Sequence, residues 1–77
     1  MSPPPPIRNI VRRLRFDHGE MTQEQLARKI GMTRQTVAAI EQGRYAPSLE
    51  AAFRIAQAFG RPLEEVFQWD PAAPPGA

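Results

Sequence analysis

Residues 23–42 read QEQLARKIGMTRQTVAAIEQ, and this stretch decides the fold. Thr22 stands just before it and is followed three residues later by Gln25, a capping box that starts a helix. Gly31 can adopt the left-handed conformation that ends this helix, and Thr33 can cap the next one. The spacing therefore predicts two short helices that meet at a steep angle through a tight turn.

Apolar spacing gives this helix pair an inward and an outward side. The inward side chains share one side of each helix and would fix the angle between the helices. They are Leu26, Ala27, Ile30, Met32, Val37 and Ile40. The outward residues at the start of the second helix are Arg34, Gln35, Ala38 and Ala39. Polar side chains on an exposed helix N-terminus are suited to reading base edges.

Helix signals continue on both sides and predict an all-α class with five helices. Upstream, Asn9 is predicted to cap a first helix whose apolar residues are Ile10, Val11 and Leu14. Downstream, a fourth helix follows Pro47-Ser48 and ends at Gly60, and Pro62 opens a short fifth helix. The fourth helix is predicted to bury Leu49, Ala52, Phe53, Ala56 and Phe59. Residues 7–8 and 67–69 could pair as a minimal two-stranded ladder.

The length allows one small domain between proline-rich ends. A chain of 77 residues buries only about 60% of its unfolded surface, so its core is thin. The run at 3–6 and the closing DPAAPPGA favour extended backbone, because proline lacks the amide donor that a helix needs. We predict a disordered arm at 1–6, a folded domain at 7–69 and a disordered tail at 70–77.

Composition excludes several classes of function. The chain has no cysteine, one histidine and no cluster of residues with metal-ligand spacing, so we expect no disulfide, metal, cofactor or catalytic site. We therefore expect that the protein is not an enzyme. No apolar run approaches the roughly 20 residues of a membrane span, and no signal-peptide pattern is present. We expect a cytoplasmic protein.

The net charge of +2 hides an asymmetry along the chain. Residues 1–45 carry eight Lys and Arg against four acidic residues, a balance of +4, whereas residues 46–77 carry two against four, a balance of −2. The basic part contains the predicted helix pair. A positive surface of this kind could bind nucleic acid or an anionic membrane surface.

Residues 14–67 read LRFDHGEMTQEQLARKIGMTRQTVAAIEQGRYAPSLEAAFRIAQAFGRPLEEVF. This stretch resembles the Xre family, the helix-turn-helix repressors related to λ repressor and Cro, and the ending PLEEVFQW is similar to the cytolysin-repressor type. The resemblance implies a five-helix λ-repressor-like domain with its third helix in the major groove, a small strand pair and a homodimer. One extra residue near Gly19 and Glu20 departs from the common pattern and leaves the geometry between the first two helices open.

The resemblance also implies roles for individual residues. It places base contacts at Arg34, Gln35, Ala38 and Ala39, and phosphate contacts at Gln23, Thr33, Thr36, Gln42, Arg44 and Tyr45. Arg can bind guanine and Gln can bind adenine through two hydrogen bonds, and an alanine methyl can meet that of thymine. Phosphate contacts position the protein without choosing a sequence. A structural ion pair between Arg15 and Glu41 is also implied.

Apolar residues near the C-terminal end allow two interpretations. Leu63, Val66, Phe67 and Trp69 could close the monomer core, or they could form a patch that a second copy buries. The thin core and the resemblance both favour a homodimer. A two-fold dimer would place its two recognition helices one DNA turn apart, about 34 to 36 Å, on a near-palindromic operator.

Two functions follow from these observations. The first is a sequence-specific double-stranded DNA-binding transcriptional regulator, acting as a homodimeric repressor. The alternative is an antitoxin-type protein-binding module that autoregulates its own operon, with the proline-rich ends binding the toxin.

Overall fold

The computed structural model describes residues 5–71, which form five helices and two short strands. In chain order these are β1 (Ile7–Asn9), α1 (Val11–Asp17), α2 (Gln23–Ile30), α3 (Arg34–Glu41), α4 (Leu49–Phe59), α5 (Leu63–Val66) and β2 (Phe67–Trp69). The predicted five-helix class and the strand pair are both confirmed. Most of the predicted arm and tail falls on residues 1–4 and 72–77, which lie outside the described residues.

Local hydrogen bonds set the boundaries of α2 and α3. The Thr22 hydroxyl accepts from the Gln25 amide at 3.0 Å, and the Gln25 side chain accepts from the Thr22 amide at 2.8 Å. Gly31 ends α2 at a φ of 73°, in the left-handed region where a side chain would be strained. The Thr33 hydroxyl accepts from the Thr36 amide at 3.2 Å and starts α3. The turn thus provides hydrogen-bond partners for backbone groups at the end of α2 and the start of α3.

The core lies between α2, α3 and α4 and is closed by residues of α1 and α5. Its buried members are Val11, Leu14, Leu26, Ala27, Ile30, Val37, Ile40, Ile55, Ala56, Phe59 and Val66. Ala27 is 3% exposed. A small side chain at this position lets the neighbouring helices pack closely against α2.

The predicted buried face of α4 is partly wrong. Leu49 and Phe53 are 67% and 54% exposed, whereas Ala51 and Ile55 are buried beside the correctly predicted Ala52, Ala56 and Phe59. The helix turns about 100° per residue, so Leu49 and Phe53 fall on the flank of the stripe that centres on Ala52 and Ile55. Apolar side chains therefore remain on the outer surface of α4.

The two strands join the ends of the domain. They are antiparallel, with Ile7 opposite Trp69 and Asn9 opposite Phe67. The amide of Asp70 donates to the carbonyl of Pro6 at 2.8 Å, so this pairing extends one residue past each predicted domain boundary. The ladder thereby holds the start of α1 against the end of α5.

The start of α1 differs from the prediction. Ile10, rather than Asn9, occupies the N-cap position, and its amide donates to the Val66 carbonyl at 3.1 Å. Asn9 belongs to β1 because the strand pairing holds its backbone. Its side chain still serves the helix, since Asn9 Oδ1 accepts from the Val11 amide at 3.1 Å.

The loop between α1 and α2 contains two consecutive left-handed residues. Gly19 has a φ of 72° and Glu20 a φ of 56°. The Met21 amide donates to the Arg15 carbonyl at 2.9 Å, which returns the chain to the end of α1. The unusual conformation of Glu20 lies in the segment where the sequence departs from the Xre pattern.

Candidate nucleic-acid interface

One side of α3 is held in the core and the other is open. Val37 and Ile40 are 1% exposed each, whereas Arg34 and Gln35 are exposed at the helix start. Ala38 and Ala39, the other two predicted base contacts, are half-buried on the same helix. The helix therefore presents a guanidinium and a carboxamide to solvent on a rigid support.

The hydroxyl groups of Thr33 and Thr36 lie together at the N-terminus of α3, with their oxygen atoms 3.0 Å apart. Both were predicted phosphate contacts. The first amides of a helix carry partial positive charge and attract anions. Thr33 is exposed and Thr36 is half-buried, so solvent reaches this end of the helix.

Arg15 and Glu41 lie in direct contact and link α1 to α3. Arg15 Nε donates to Glu41 Oε2 at 2.6 Å and Nη2 donates to Oε1 at 2.9 Å. The side chains are only 14% and 6% exposed. The hydrogen bond to Glu41 raises the pKa of Arg15 and outweighs the opposing effect of burial, so the guanidinium stays charged.

Two further bonds extend this contact into a network. Arg15 Nη1 donates to the Met21 carbonyl at 2.7 Å, and Gln23 Nε2 donates to Glu41 Oε1 at 3.2 Å. The network joins α1, the following loop, the start of α2 and the end of α3. It fixes the position of α3 and compensates the negative charge of the Glu41 carboxylate.

Some Arg and Lys side chains form ion pairs with a carboxylate, whereas others have no acidic partner. Six arginines have an acidic oxygen within 4.0 Å, namely Arg8, Arg13, Arg15, Arg28, Arg54 and Arg61. Among residues 5–71, the cations without such a partner are Arg12, Lys29, Arg34 and Arg44. Arg34 begins α3 and Arg44 lies three residues after its last residue. Unneutralised positive charge therefore flanks the exposed helix.

Comparison with known proteins agrees with this architecture. A family model described as helix-turn-helix, HTH_3, matches residues 11–66. The chain belongs to this helix-turn-helix family. The predicted resemblance to Xre-type proteins is thereby confirmed.

Individual relatives of this helix-turn-helix chain support the assignment. An HTH-type transcriptional regulator from Methanothermobacter thermautotrophicus is 49% identical over 65 residues, which cover 83% of this chain and 93% of the relative. The restriction-modification controller protein C.AhdI from Aeromonas hydrophila is 33% identical with a TM-score of 0.66, covering 71% of this chain and 82% of that one. PlcR from Bacillus thuringiensis, solved with the peptide PapR7 and DNA, is 30% identical with a TM-score of 0.63, covering 69% of this chain but 18% of PlcR.

The remaining predicted phosphate contacts of the helix-turn-helix domain follow α3. Gln42 is the C-cap of α3 and is exposed, as is Arg44. Tyr45 is 44% exposed. Together with Gln23 at the start of α2, these residues flank α3 on its C-terminal side.

Sequence reasoning missed a second role of Asn9. Its Nδ2 donates to the Ile40 carbonyl at 2.9 Å, so β1 is tied to the last turn of α3. The two residues are 31 positions apart, and no local pattern links them. An asparagine before a helix signals a cap, but it does not reveal a second, distant partner.

The predicted dimer residues separate into two groups. Val66 is 0% exposed and belongs to the monomer core, so its assignment to a dimer interface is wrong. The amphipathic turn of α5 points Val66 inward, out of reach of a partner. Leu63 and Phe67 are half-buried, and Trp69 is 69% exposed.

Leu63, Phe67 and Trp69 line an apolar groove of about 510 Å³. Its wall also includes Ile7 of β1, Pro47 before α4 and Leu49 of α4. The exposed side chain of Leu49 thus lies on the same surface as Trp69. We call this surface, formed by Ile7, Pro47, Leu49, Leu63, Phe67 and Trp69, the apolar groove.

Residues 5–71 contain no group of three or more His, Asp or Glu residues placed to hold a metal ion. No helix in this part of the chain combines the length and apolarity needed to cross a bilayer.

Proposed function

We propose that this chain is a sequence-specific double-stranded DNA-binding transcriptional regulator that acts in the cytoplasm as a homodimeric repressor. In this proposal α3 enters the major groove, and two copies read a near-palindromic operator. Occupation of the operator blocks transcription without any catalytic step.

The general part of the proposal, a DNA-binding helix-turn-helix regulator, is supported by family membership. The M. thermautotrophicus relative is named as an HTH-type transcriptional regulator and covers nearly the same length. PlcR, of which 18% matches this chain in fold, was solved in complex with DNA. The surface chemistry of α3 supports the same function independently of these relatives.

The observation that carries the proposal is the contrast between the two sides of α3. Its inner side is fixed by Val37, Ile40 and the Arg15–Glu41 contact, while Arg34 stands exposed without a carboxylate partner. A rigid helix with an unneutralised guanidinium is suited to a bidentate contact with guanine. Gln35 would read adenine in the same way, and Ala38 or Ala39 would meet a thymine methyl.

The proposed phosphate contacts surround these base contacts. Thr33 and Thr36 lie at the N-terminus of α3, and Gln23, Gln42, Arg44 and Tyr45 lie toward its other end. Such contacts fix the register of the helix in the groove. In the proposal, the two groups together clamp the backbone on both sides of the bases that α3 reads.

The apolar groove supports the homodimer. Leu63, Phe67 and Trp69 supply the predicted part of the interface, and Leu49 and Ile7 enlarge it. Contiguous exposed apolar surface of this kind marks protein interaction sites. A two-fold axis through the groove would make the interface self-complementary and place one α3 on each half-site.

Two arginine variants test the proposal. Their binding is measured to a duplex that contains the operator and to a random duplex. Arg34→Ala should lose about 1 to 3 kcal/mol of discrimination at the base pair it reads, with little change on random DNA. Arg44→Ala should weaken binding to both duplexes and lower the salt slope by about one unit per protomer. Equal losses on operator and random duplexes for Arg34→Ala would contradict the proposed base contact.

A further inference from the structure

A polar cleft of about 260 Å³ lies where α1 meets the start of α2 and the end of α3. Its walls are Arg12, Arg15, Gln23, Glu41 and Gln42. Arg12 and Arg15 share one face of α1 because they are three residues apart. The cleft therefore opens beside the C-terminal end of α3.

The cleft has a net positive charge that comes from Arg12. The charges of Arg15 and Glu41 cancel through their two short hydrogen bonds, and both side chains are largely buried. Arg12 is exposed, and no carboxylate of residues 5–71 lies within 4.0 Å of its nitrogen atoms. Its neighbour Arg13, by contrast, pairs with Asp17 at 4.0 Å.

The groups around Arg12 are mainly hydrogen-bond donors. A guanidinium has five N–H groups and each glutamine amide has two. Gln23 uses one amide N–H for Glu41, so the other remains for a ligand. Gln42 adds a second amide from the C-cap of α3. Donors on three different elements thus converge on a space that suits the oxygens of one phosphate group.

The surroundings of Arg12 differ from those of Lys29, another cation without a carboxylate partner. Lys29 lines a different depression, together with Arg54 and Gln57 of α4. Arg12 instead shares its cleft with Gln23 and Gln42, which the proposed function already assigns to phosphate contact. The cleft thus gives Arg12 a specific set of polar neighbours.

We propose that Arg12 binds a phosphodiester oxygen of the DNA backbone in this cleft, with Gln23 and Gln42 as co-donors. The inference rests on the proposed DNA-binding function and deepens it, because it brings α1 into the interface. The contact is independent of base sequence, as expected for a backbone phosphate. It would anchor the end of α3 that lies opposite the base-reading residues Arg34 and Gln35.

The test compares Arg12→Ala with Arg13→Ala, which removes the same charge from the next position of the same helix. Binding to the operator duplex and to a random duplex is measured by fluorescence anisotropy between 50 and 200 mM KCl. Each phosphate contact contributes about 0.9 to the slope of log K against log salt on B-DNA. Arg12→Ala should lower the slope by about 0.9 per protomer on both duplexes, and Arg13→Ala should leave it near the wild-type value.

Two further variants strengthen the comparison. Arg12→Lys should recover most of the slope, because it restores the positive charge. The double variant Arg12→Ala/Gln42→Ala should lose less affinity than the product of the two single losses, since both residues would bind the same phosphate. Thermal melting of each variant verifies that the exposed substitutions leave the fold intact.

The outcomes separate this inference from the function on which it rests. If the wild-type protein binds no duplex, the proposed function fails and this inference fails with it. If the wild-type protein binds DNA and Arg12→Ala has the same slope as Arg13→Ala, only the Arg12 contact is overturned. Stabilisation of the free protein by inorganic phosphate that requires Arg12, together with an unchanged slope, would assign the cleft to a free anion and also overturn the proposal.

Discussion

Replacing Glu41 with glutamine tests how strongly the Arg15–Glu41 contact holds α3 in place. The substitution preserves the shape of the side chain and removes its charge. Arg15, which is 14% exposed, would keep its charge and lose the carboxylate that bonds it at 2.6 and 2.9 Å. The bond from Gln23 to Glu41 Oε1 would lose its charged acceptor as well.

The expected cost is large for a domain of this size. Breaking a buried ion pair by removing one partner typically costs about 3 to 5 kcal/mol, because it leaves an uncompensated charge. A chain of 77 residues has a total stability of roughly 4 to 12 kcal/mol. Each kcal/mol shifts the midpoint of thermal unfolding by about 4 to 8 °C in small domains. Glu41→Gln should therefore lower that midpoint by at least about 12 °C.

Urea and thermal unfolding, followed by circular dichroism, measure the effect against two controls. Glu24→Gln breaks the exposed pair with Arg28 on α2 and should cost only about 0.3 to 0.5 kcal/mol. The double variant Arg15→Met/Glu41→Leu removes both charges and should recover most of the lost stability. A cost for Glu41→Gln no larger than that for Glu24→Gln would refute the reasoning, because it would show that solvent screens the contact.

Two other changes test the fold and the proposed homodimer. Asn9→Asp keeps the acceptor for the Val11 amide but loses the donor to the Ile40 carbonyl. It also adds a negative charge at the C-terminus of α3. The substitution should therefore lower the free energy of unfolding by about 1 to 3 kcal/mol. An unchanged urea midpoint would argue against that bond. Leu49→Glu places a charge in the apolar groove and should weaken the proposed homodimer more than ten-fold in sedimentation equilibrium, since a buried unpaired ion costs several kcal/mol. Phe53→Glu, on the same helix but outside the groove, should leave the mass unchanged, and equal effects of the two variants would count against the groove as the interface.

The parts of the fold that could be predicted from the sequence depend on local chemistry. Thr22, Gln25 and Gly31 act within one or two turns of their own backbone, so their side chains suffice to mark the ends of α2. The same holds for Thr33 and Ser48, which both cap the helices that follow them. These local signals, together with apolar spacing, determined the five-helix class.

The sequence-based predictions of burial and of contacts were wrong or incomplete where tertiary packing determines which side chain is buried. Leu49 and Phe53 are apolar and correctly spaced, but periodicity does not say which of two adjacent stripes faces the core. Val66 and Trp69 are likewise both apolar, yet one is buried and the other is exposed. The distant contact of Asn9 with Ile40 depends on how the elements pack.

The candidate site was predictable mainly through the resemblance to the Xre family. Composition and helix spacing place Arg34 and Gln35 outside, but the pairing of Arg15 with Glu41 across 26 residues has no local signal. The cleft around Arg12 was not predictable at all. It depends on which arginines have carboxylate neighbours in space, and sequence order does not contain that information.

Selection of bound sites from a library of random duplexes tests the central claim most directly. The account predicts enrichment of a near-palindromic sequence whose half-sites are centred one helical turn apart, about 10 to 10.5 base pairs. Within each half-site, the strongest preference should include a guanine, and Arg34→Ala should abolish that preference. The absence of any enriched sequence, or enrichment that Arg34→Ala leaves unchanged, would contradict the claim that α3 reads DNA through its exposed N-terminal face.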